Sequence, residues 1–346
     1  MSESYIYPLV FAPHSPVAIM ATGFAVLALL FAVIYVPSGS RDPLFSVFMV
    51  FSFTSGIDAI IALEEDGYVS DFMGFYMREG EPYLTTAHGI MMCYWDSVVH
   101  YTLYLAMILA ITQRKSYRNV GLYWIGSLTM NLVVFLLGNV IGKYGSEIRP
   151  AFLLNTPFLV IPIWAATRIF PQPKDLPLVT ADKIAEEQGK SLLQRPLDLG
   201  LVAYLLFAAA FTLFRGLVST GKLTVPCIGV LLYLPKSKLF MLVYLHYVLP
   251  YFCVCIYGLL RPGVTWMPDW ALVFAGAIAQ AQMSHIGSSL HHRTPFPYRT
   301  PEDAWWIFVL SNTLYAIGPH VLAYRCLWSP AFFFSSVSRD ENKKTQ

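Results

Sequence analysis

Apolar stretches of about twenty residues recur along the chain at 17–36, 44–64, 86–111, 119–141, 150–170, 197–219, 238–260, 269–290 and 304–326. Twenty residues of helix rise roughly 30 Å, the thickness of a bilayer's hydrocarbon core. The pattern therefore predicts an all-α polytopic membrane protein with about nine transmembrane helices. No basic residue precedes the first stretch, which runs on into further spans, so it reads as a retained helix and not as a cleaved signal. Segment 171–196 opens with "PQPKDLP" and turns charged at "KIAEEQGK", the pattern of a connector carrying a short surface helix.

Inside the apolar stretches the polar residues are few and patterned. "YWDSVVHYTLYL" places Asp96 and His100 four residues apart, one turn along a single helix face. Asp58, Asp96 and Asn155 fall at depths of roughly 8 to 15 Å from the same membrane face, at 1.5 Å per residue, so they are able to converge. An ionised carboxylate near the bilayer centre costs about 3 kcal/mol or more unless it is paired or used. Asp96 is expected to pair with His100 or with Arg215, to meet a ligand, or to do chemistry.

Short stretches also repeat in order. "NTPFLVIP" (155–162) matches "NTLYAIGP" (312–319), "FTSGID" (53–58) matches "FTLFRG" (211–216), "HYTLYL" (100–105) matches "HYVLPY" (246–251), and "NVIG" (139–142) matches "SHIG" (284–287). Such register predicts two parallel four-helix bundles at 44–170 and 197–328. Residues 1–43 precede them, 171–196 link them, and 329–346 form a tail. The second copy carries Arg215, His246, His285 and Asn312 at comparable depths, and its nearest match to Asp58 is a cation, Arg215.

Composition narrows the picture further. The chain is 56% hydrophobic and 13% charged, against about 25% charged in soluble proteins. Its net charge of +2 gives no sign of a nucleic-acid partner. With a lumenal N-terminus, the larger share of Lys and Arg falls on the cytosolic side, as positively charged loops do. The five cysteines are odd in number and only Cys227 lies in an expected lumenal loop, so no disulfide framework is implied. His246 and His285 lack a second ligand one turn away, so neither a metal nor another cofactor is expected. The chain ends "KKTQ", placing Lys343 and Lys344 as a dilysine retrieval signal for the endoplasmic reticulum. Trp95, Trp124, Trp164, Trp266, Trp270, Trp305 and Trp306 read as interfacial belts where they lie near span ends. "FMGFYM", within the excursion 64–82, reads as an amphipathic lid.

"EGEPYL", "CYWDSVVHY", "GLYWIGS", "GKYGSEIRPAF", "FTLFRGL", "WMPDWALVFAGAIAQAQMSHIGSSLH" and "VLAYRC" resemble the transmembrane 6 superfamily over nearly the whole chain, with "SEIRPAF" and "DWALVFAG" nearer its member 2 branch than member 1. The resemblance implies two EXPERA domains, the four-helix fold of the emopamil-binding sterol isomerase and the sigma-2 receptor. It also implies a protein of the endoplasmic reticulum and ER-Golgi intermediate compartment that promotes lipid loading of apolipoprotein B particles. By position, Asp58 and Asp96 match the acids that those relatives present to an amine or carbocation, and Asn155 matches the isomerase Asn. Thr54 stands where the isomerase has a His, Phe158 replaces its Trp, and the loop 220–237 is shorter than the family leads one to expect.

Double-bond isomerisation needs an acid, a base and an environment that tolerates the intervening cation. Asp58 and Asp96 are the catalytic candidates for it. The reading adopted is binding: Asp58, Asp96, His100, Asn155, Phe158, Arg215, His246, His285, Asn312 and Tyr315 line sites for membrane lipids or sterols. Apolipoprotein B and lipoprotein-assembly factors are the protein partners expected, the latter on a scaffold if no ligand is bound, and a homo-oligomer is compatible with the fold.

Overall fold

The computed structural model describes residues 16–38, 42–70, 72–141, 144–219 and 243–335; these form helices and their connecting turns, with no strand among them. Helix starts follow local chemistry. α1 spans Pro16–Ser38, and α2 (Pro43–Glu65) opens on Pro43 after Asp42, whose carboxylate accepts from Leu44 N at 3.0 Å. α3 (Gly74–Glu79) is short, and α4 (Ala87–Trp95) is capped by Thr86 Oγ1 accepting from Gly89 N at 3.1 Å. A π turn, Asp96–His100, joins α4 to α5 (Tyr101–Thr112) as one continuous rod. α6 spans Arg118–Ile141, α7 Thr156–Ile169, α8 Ala181–Gly189 and α9 Pro196–Ser219. A second π turn, Tyr244–Val248, leads into α10 (Leu249–Leu260), followed by α11 (Met267–Leu290) and α12 (Trp305–Trp328).

Seven helices are long and apolar enough to cross a membrane among the described residues: Val17–Val36, Pro43–Glu65, Ala87–Thr112, Arg118–Val140, Pro150–Ile169, Pro196–Val218 and Glu302–Trp328. Two of the nine expected spans look different. The span 238–260 is seen as the shorter apolar helix Tyr244–Leu260, because 220–242 lie outside the described residues. α11 has the length but carries Gln280, Gln282, Ser284, His285 and Ser288, all buried. Polar side chains in such a helix face protein and not lipid, which is how a helix of this composition persists in a bilayer.

The chain divides into two compact units, residues 1–115 with 132–165, and residues 116–131 with 166–346. In the first, α2 packs on α4, the π turn and α5, while α1 lies against α2 and the 3-10 segment Pro150–Asn155. Much of α1 stays exposed, as a lipid-facing helix is. Gly23 lets α1 approach closely, since a Cβ there would stand 2.7 Å from a Leu154 methyl.

In the second unit α6 and α11 touch backbone to backbone. A Cβ on Gly126 would overlap Val273 O, and one on Gly276 would overlap Tyr123 O. Small residues are the usual means of close helix approach in membranes, where dispersion and hydrogen bonds must replace the hydrophobic drive. Gln280 Nε2 supplies such a bond, donating to Asn131 Oδ1 at 2.6 Å. Trp124, expected at an interface, is instead fully buried in this unit, while Trp270, Trp305 and Trp306 are exposed. Trp124 lies inside α6 and not at its end, so packing claims it.

Several basic residues expected in solvated cytosolic segments are buried. Arg118 Nη1 binds Asp269 Oδ1 at 2.6 Å, and its other nitrogens donate to Gln172 O at 2.9 Å and Phe170 O at 3.1 Å. Asp198, fully buried, accepts from Arg195 Nη1 at 2.5 Å and from Arg325 Nε at 2.7 Å. The Arg195 guanidinium lies 3.8 Å over the Phe332 ring. The surface helix expected in the linker is α8; it buries Ile184, packs on Pro330–Phe333, and Gln188 Nε2 donates to Phe334 O at 2.7 Å. A cavity of about 150 Å³ beside this region is lined by Lys174, Thr265, Pro268, Pro330 and Phe333. Lys174 is already engaged there, by Asp269 at 2.8 Å and Thr265 O at 2.6 Å.

Candidate functional site

Three acids of the first unit share one neighbourhood. Asp58 projects from α2 toward α4, where Cys93 Sγ is 4.0 Å from its Oδ1, and it lies within electrostatic reach of both Asp96 and Glu81. Asp96 opens the π turn and His100 closes it, with His100 Nδ1 donating to Asp96 Oδ1. His100 is fully buried and Asp96 keeps 20% of its side chain exposed, so Asp96 is the accessible member of the pair. π turns concentrate at functional positions because the extra residue redirects the side chains that follow.

Glu81 is the acid that sequence reasoning missed. It sits in the segment between α3 and α4 and is 7% exposed, yet it lies among polar neighbours in sequence that make it look like an ordinary solvated residue. Two contacts hold it: Tyr76 Oη donates at 2.7 Å, and Asn155 Nδ2 donates from the end of the 3-10 segment. Burial raises the Glu81 carboxyl to about 7, although both hydrogen bonds act the other way. Burial, with Glu81 alongside, also pushes the Tyr76 hydroxyl well above its usual range, so Tyr76 remains a donor. The excursion expected to act as a lid is thus anchored: Met77 is buried, Glu64 accepts from Met73 N and from Phe72 N, and Arg149 Nη1 reaches Glu79 at 3.2 Å.

Aromatic faces complete this site. Phe158 stacks on Phe51 with centroids 4.6 Å apart, Phe51 meets Tyr104 edge-on at 5.7 Å, and His100 lies 6.2 Å from Tyr104. Carboxylates beside aromatic rings form the kind of surroundings that hold a cationic or polar lipid group. Thr54 takes no direct part, since its hydroxyl donates to Phe51 O at 2.9 Å.

The second unit has opposite polarity. Arg215 of α9 is buried with its guanidinium 5.8 Å from the Phe211 ring and 5.9 Å from the Tyr315 ring, and Nη1 is 3.5 Å from Asn312 Oδ1. Asn312 is oriented by donating from Nδ2 to Phe308 O at 2.8 Å. His285 is buried with its ring 5.4 Å from that of Phe308. His246 lies on the second π turn and is exposed. Thr212, Tyr244 and Gln282, none of them singled out from sequence, join this cluster. Tyr315 Oη is 3.2 Å from Thr212 Oγ1, and Gln282 Nε2 donates to Tyr244 Oη. Lys343 and Lys344 lie outside the described residues.

The two halves share one irregularity that periodicity alone does not specify. The π turns fall at 96–100 and 244–248, beside the matched "HYTLYL" and "HYVLPY" stretches. They diverge at the Asn-Thr motif. Asn155 ends a 3-10 segment because Pro157 lacks the N–H that would continue an α ladder, whereas Asn312 sits within the unbroken α12.

Comparison with known proteins identifies the family. The family model described as "Transmembrane 6 superfamily member 2-like, transmembrane domain" matches residues 1–180, and the chain is 53% identical to transmembrane 6 superfamily member 2 of Mus musculus over 99% of its own length and 95% of that relative. The chain belongs to this family. Its Rattus norvegicus and Homo sapiens members are each 54% identical, the human one over 97% of this chain and 92% of the relative. Residues 228–326 match the EXPERA (EXPanded EBP superfamily) model, placing α10, α11 and most of α12 of this transmembrane 6 superfamily chain in that fold. No solved structure matches the chain.

Proposed function

We propose that the chain is a multi-pass protein of the endoplasmic reticulum and ER-Golgi intermediate compartment that binds a lipid or sterol within its helical bundles. Through this it promotes lipid loading and secretion of triglyceride-rich apolipoprotein B lipoproteins and limits the lipid stored in droplets. The observation that carries the binding reading is the grouping of Asp58, Asp96 and Glu81, with Asp96 linked through His100 and Tyr104 to the stacked Phe51 and Phe158 rings. Three acids gathered in an apolar bundle are costly to fold, and ligand recognition offsets that cost better than structure alone does, because only Asp96 has a basic partner among the described residues.

Mass spectrometry of lipids retained by the purified protein tests the reading. A specific amine-bearing or sterol lipid should co-purify and be lost from Asp58→Asn. Retention of bulk membrane lipid alone, unchanged by that substitution, would sink it. In lipoprotein-secreting cells, removal of the protein should lower triglyceride per particle more than particle number. A proportional loss of both would favour a scaffold for assembly factors. A sterol isomerase is the second reading, favoured by the proximity of Asp58 to Asp96; it requires the purified protein to shift a sterol double bond.

A further inference from the structure

We propose that the Arg215 cluster of the second unit is a binding site for the anionic headgroup of a lipid, chemically distinct from the acid-lined site of the first. Arg215 is 6% exposed and stands on α9 four residues before its last residue, Ser219, roughly 6 Å along the axis. A guanidinium keeps its charge in any environment and offers five N–H donors in a planar fork. What meets this fork among the described residues is neutral: Asn312 Oδ1 at a long 3.5 Å, the Tyr315 hydroxyl, and the faces of Phe211 and Tyr315. Those acceptors are themselves arranged by their neighbours. Thr212 Oγ1 donates to Ala208 O at 2.7 Å, so the 3.2 Å contact to Tyr315 is made by the Tyr315 proton, leaving the tyrosine lone pairs toward the guanidinium.

No carboxylate among the described residues lies within ion-pair distance of Arg215. A second, independent observation points the same way. Gln282, 2% exposed, uses one amide atom on Tyr244 Oη and leaves its carbonyl oxygen without a partner; exchanging the amide atoms would leave the nitrogen so instead. Tyr244 packs edge-on to Tyr315 at 6.0 Å, which ties the two observations to one cluster.

Among the described residues the cluster therefore bears one uncompensated positive charge and spare hydrogen-bonding capacity. A singly charged oxyanion answers the charge, and it accepts from Gln282 once the amide is turned so that Oε1 takes the Tyr244 hydroxyl proton and Nε2 is the free atom; a planar carboxylate or a phosphodiester fits the fork in two-point fashion. Arg215 lies about one turn from the end of α9, at the depth of a headgroup, and exposed Leu213, Leu217 and Leu314 offer an apolar surface for the attached chain. The position aligned within one residue of Asp58 has thus changed sign, and its ligand changes sign with it.

The full-length protein in detergent, tested by competition against a fluorescent fatty acid, decides the matter. Oleate is compared with oleyl alcohol, and phosphatidylglycerol with diacylglycerol. A preference of at least tenfold for oleate over its alcohol identifies a carboxylate site; one confined to phosphatidylglycerol identifies a phosphodiester site. Equal binding of charged and uncharged partners in both pairs overturns the proposal. Arg215→Gln should abolish the preference and Tyr315→Phe should weaken it several-fold; an anion preference intact in both also overturns it. Should Arg215→Gln fail to fold, the headgroup comparison and Tyr315→Phe decide alone. Asp58→Asn should leave anion binding unchanged, so failure here and failure of the acid-lined site register separately.

Discussion

The substitution Glu81→Gln isolates the cost of one buried carboxylate. The group shifts from 4.5 to about 7 on burial, and each unit is worth about 1.4 kcal/mol, so the ionised form destabilises the fold by roughly 3 kcal/mol. The sign follows from proton uptake. A carboxyl raised in the native state binds its proton more tightly there, so its effect is absent below pH 4.5, grows as pH rises, and is complete above about 7. The amide introduced by the substitution keeps an oxygen for Asn155 and a donor for Tyr76 while removing the charge. Thermal unfolding of the detergent-purified protein between about pH 4.5 and 8 should show the wild type losing stability relative to the variant as pH rises. The two converge at low pH, and the variant is more stable by several degrees at about pH 8. Parallel curves across the range would refute the buried, neutral-pH carboxyl and the lid anchorage drawn from it.

Asp198→Asn strands Arg195 and Arg325 in a buried setting and should cost about 3 to 5 kcal/mol, read as lost thermal stability; near-neutral behaviour would mean water screens the triad. Gly276→Leu forces a side chain into the Tyr123 backbone and should prevent accumulation of folded protein, judged by size-exclusion of the expressed chain, whereas Gly56→Ala, which meets nothing within 4 Å, should not. Asp96→Asn should lower thermal stability if the acid serves only His100, and instead abolish retention of amine-bearing ligand at little cost in stability if it serves the ligand. Under the proposed location in the endoplasmic reticulum, exchanging Lys343 and Lys344 for Ser should move part of the protein to the Golgi in fluorescence imaging; an unchanged distribution counts against a retrieval role for these lysines.

Hydrophobic length determined the membrane helices and the family motifs determined the lineage, because both are local properties of consecutive residues. Four-residue spacing likewise placed Asp96 beside His100, since their neighbourhood lies within one rod. Tertiary structure decided what spacing does not encode. Glu81 reads as a solvated acid until α3 and the turn ending at Asn155 close over it, and Arg118, Arg195 and Arg325 read as cytosolic charge until Asp269 and Asp198 claim them. Trp124 reads as an interfacial anchor until α6 turns it inward. In each case the partner is remote in sequence, and the free energy of a charge or a large ring depends on what surrounds it in space, not on what precedes it in the chain.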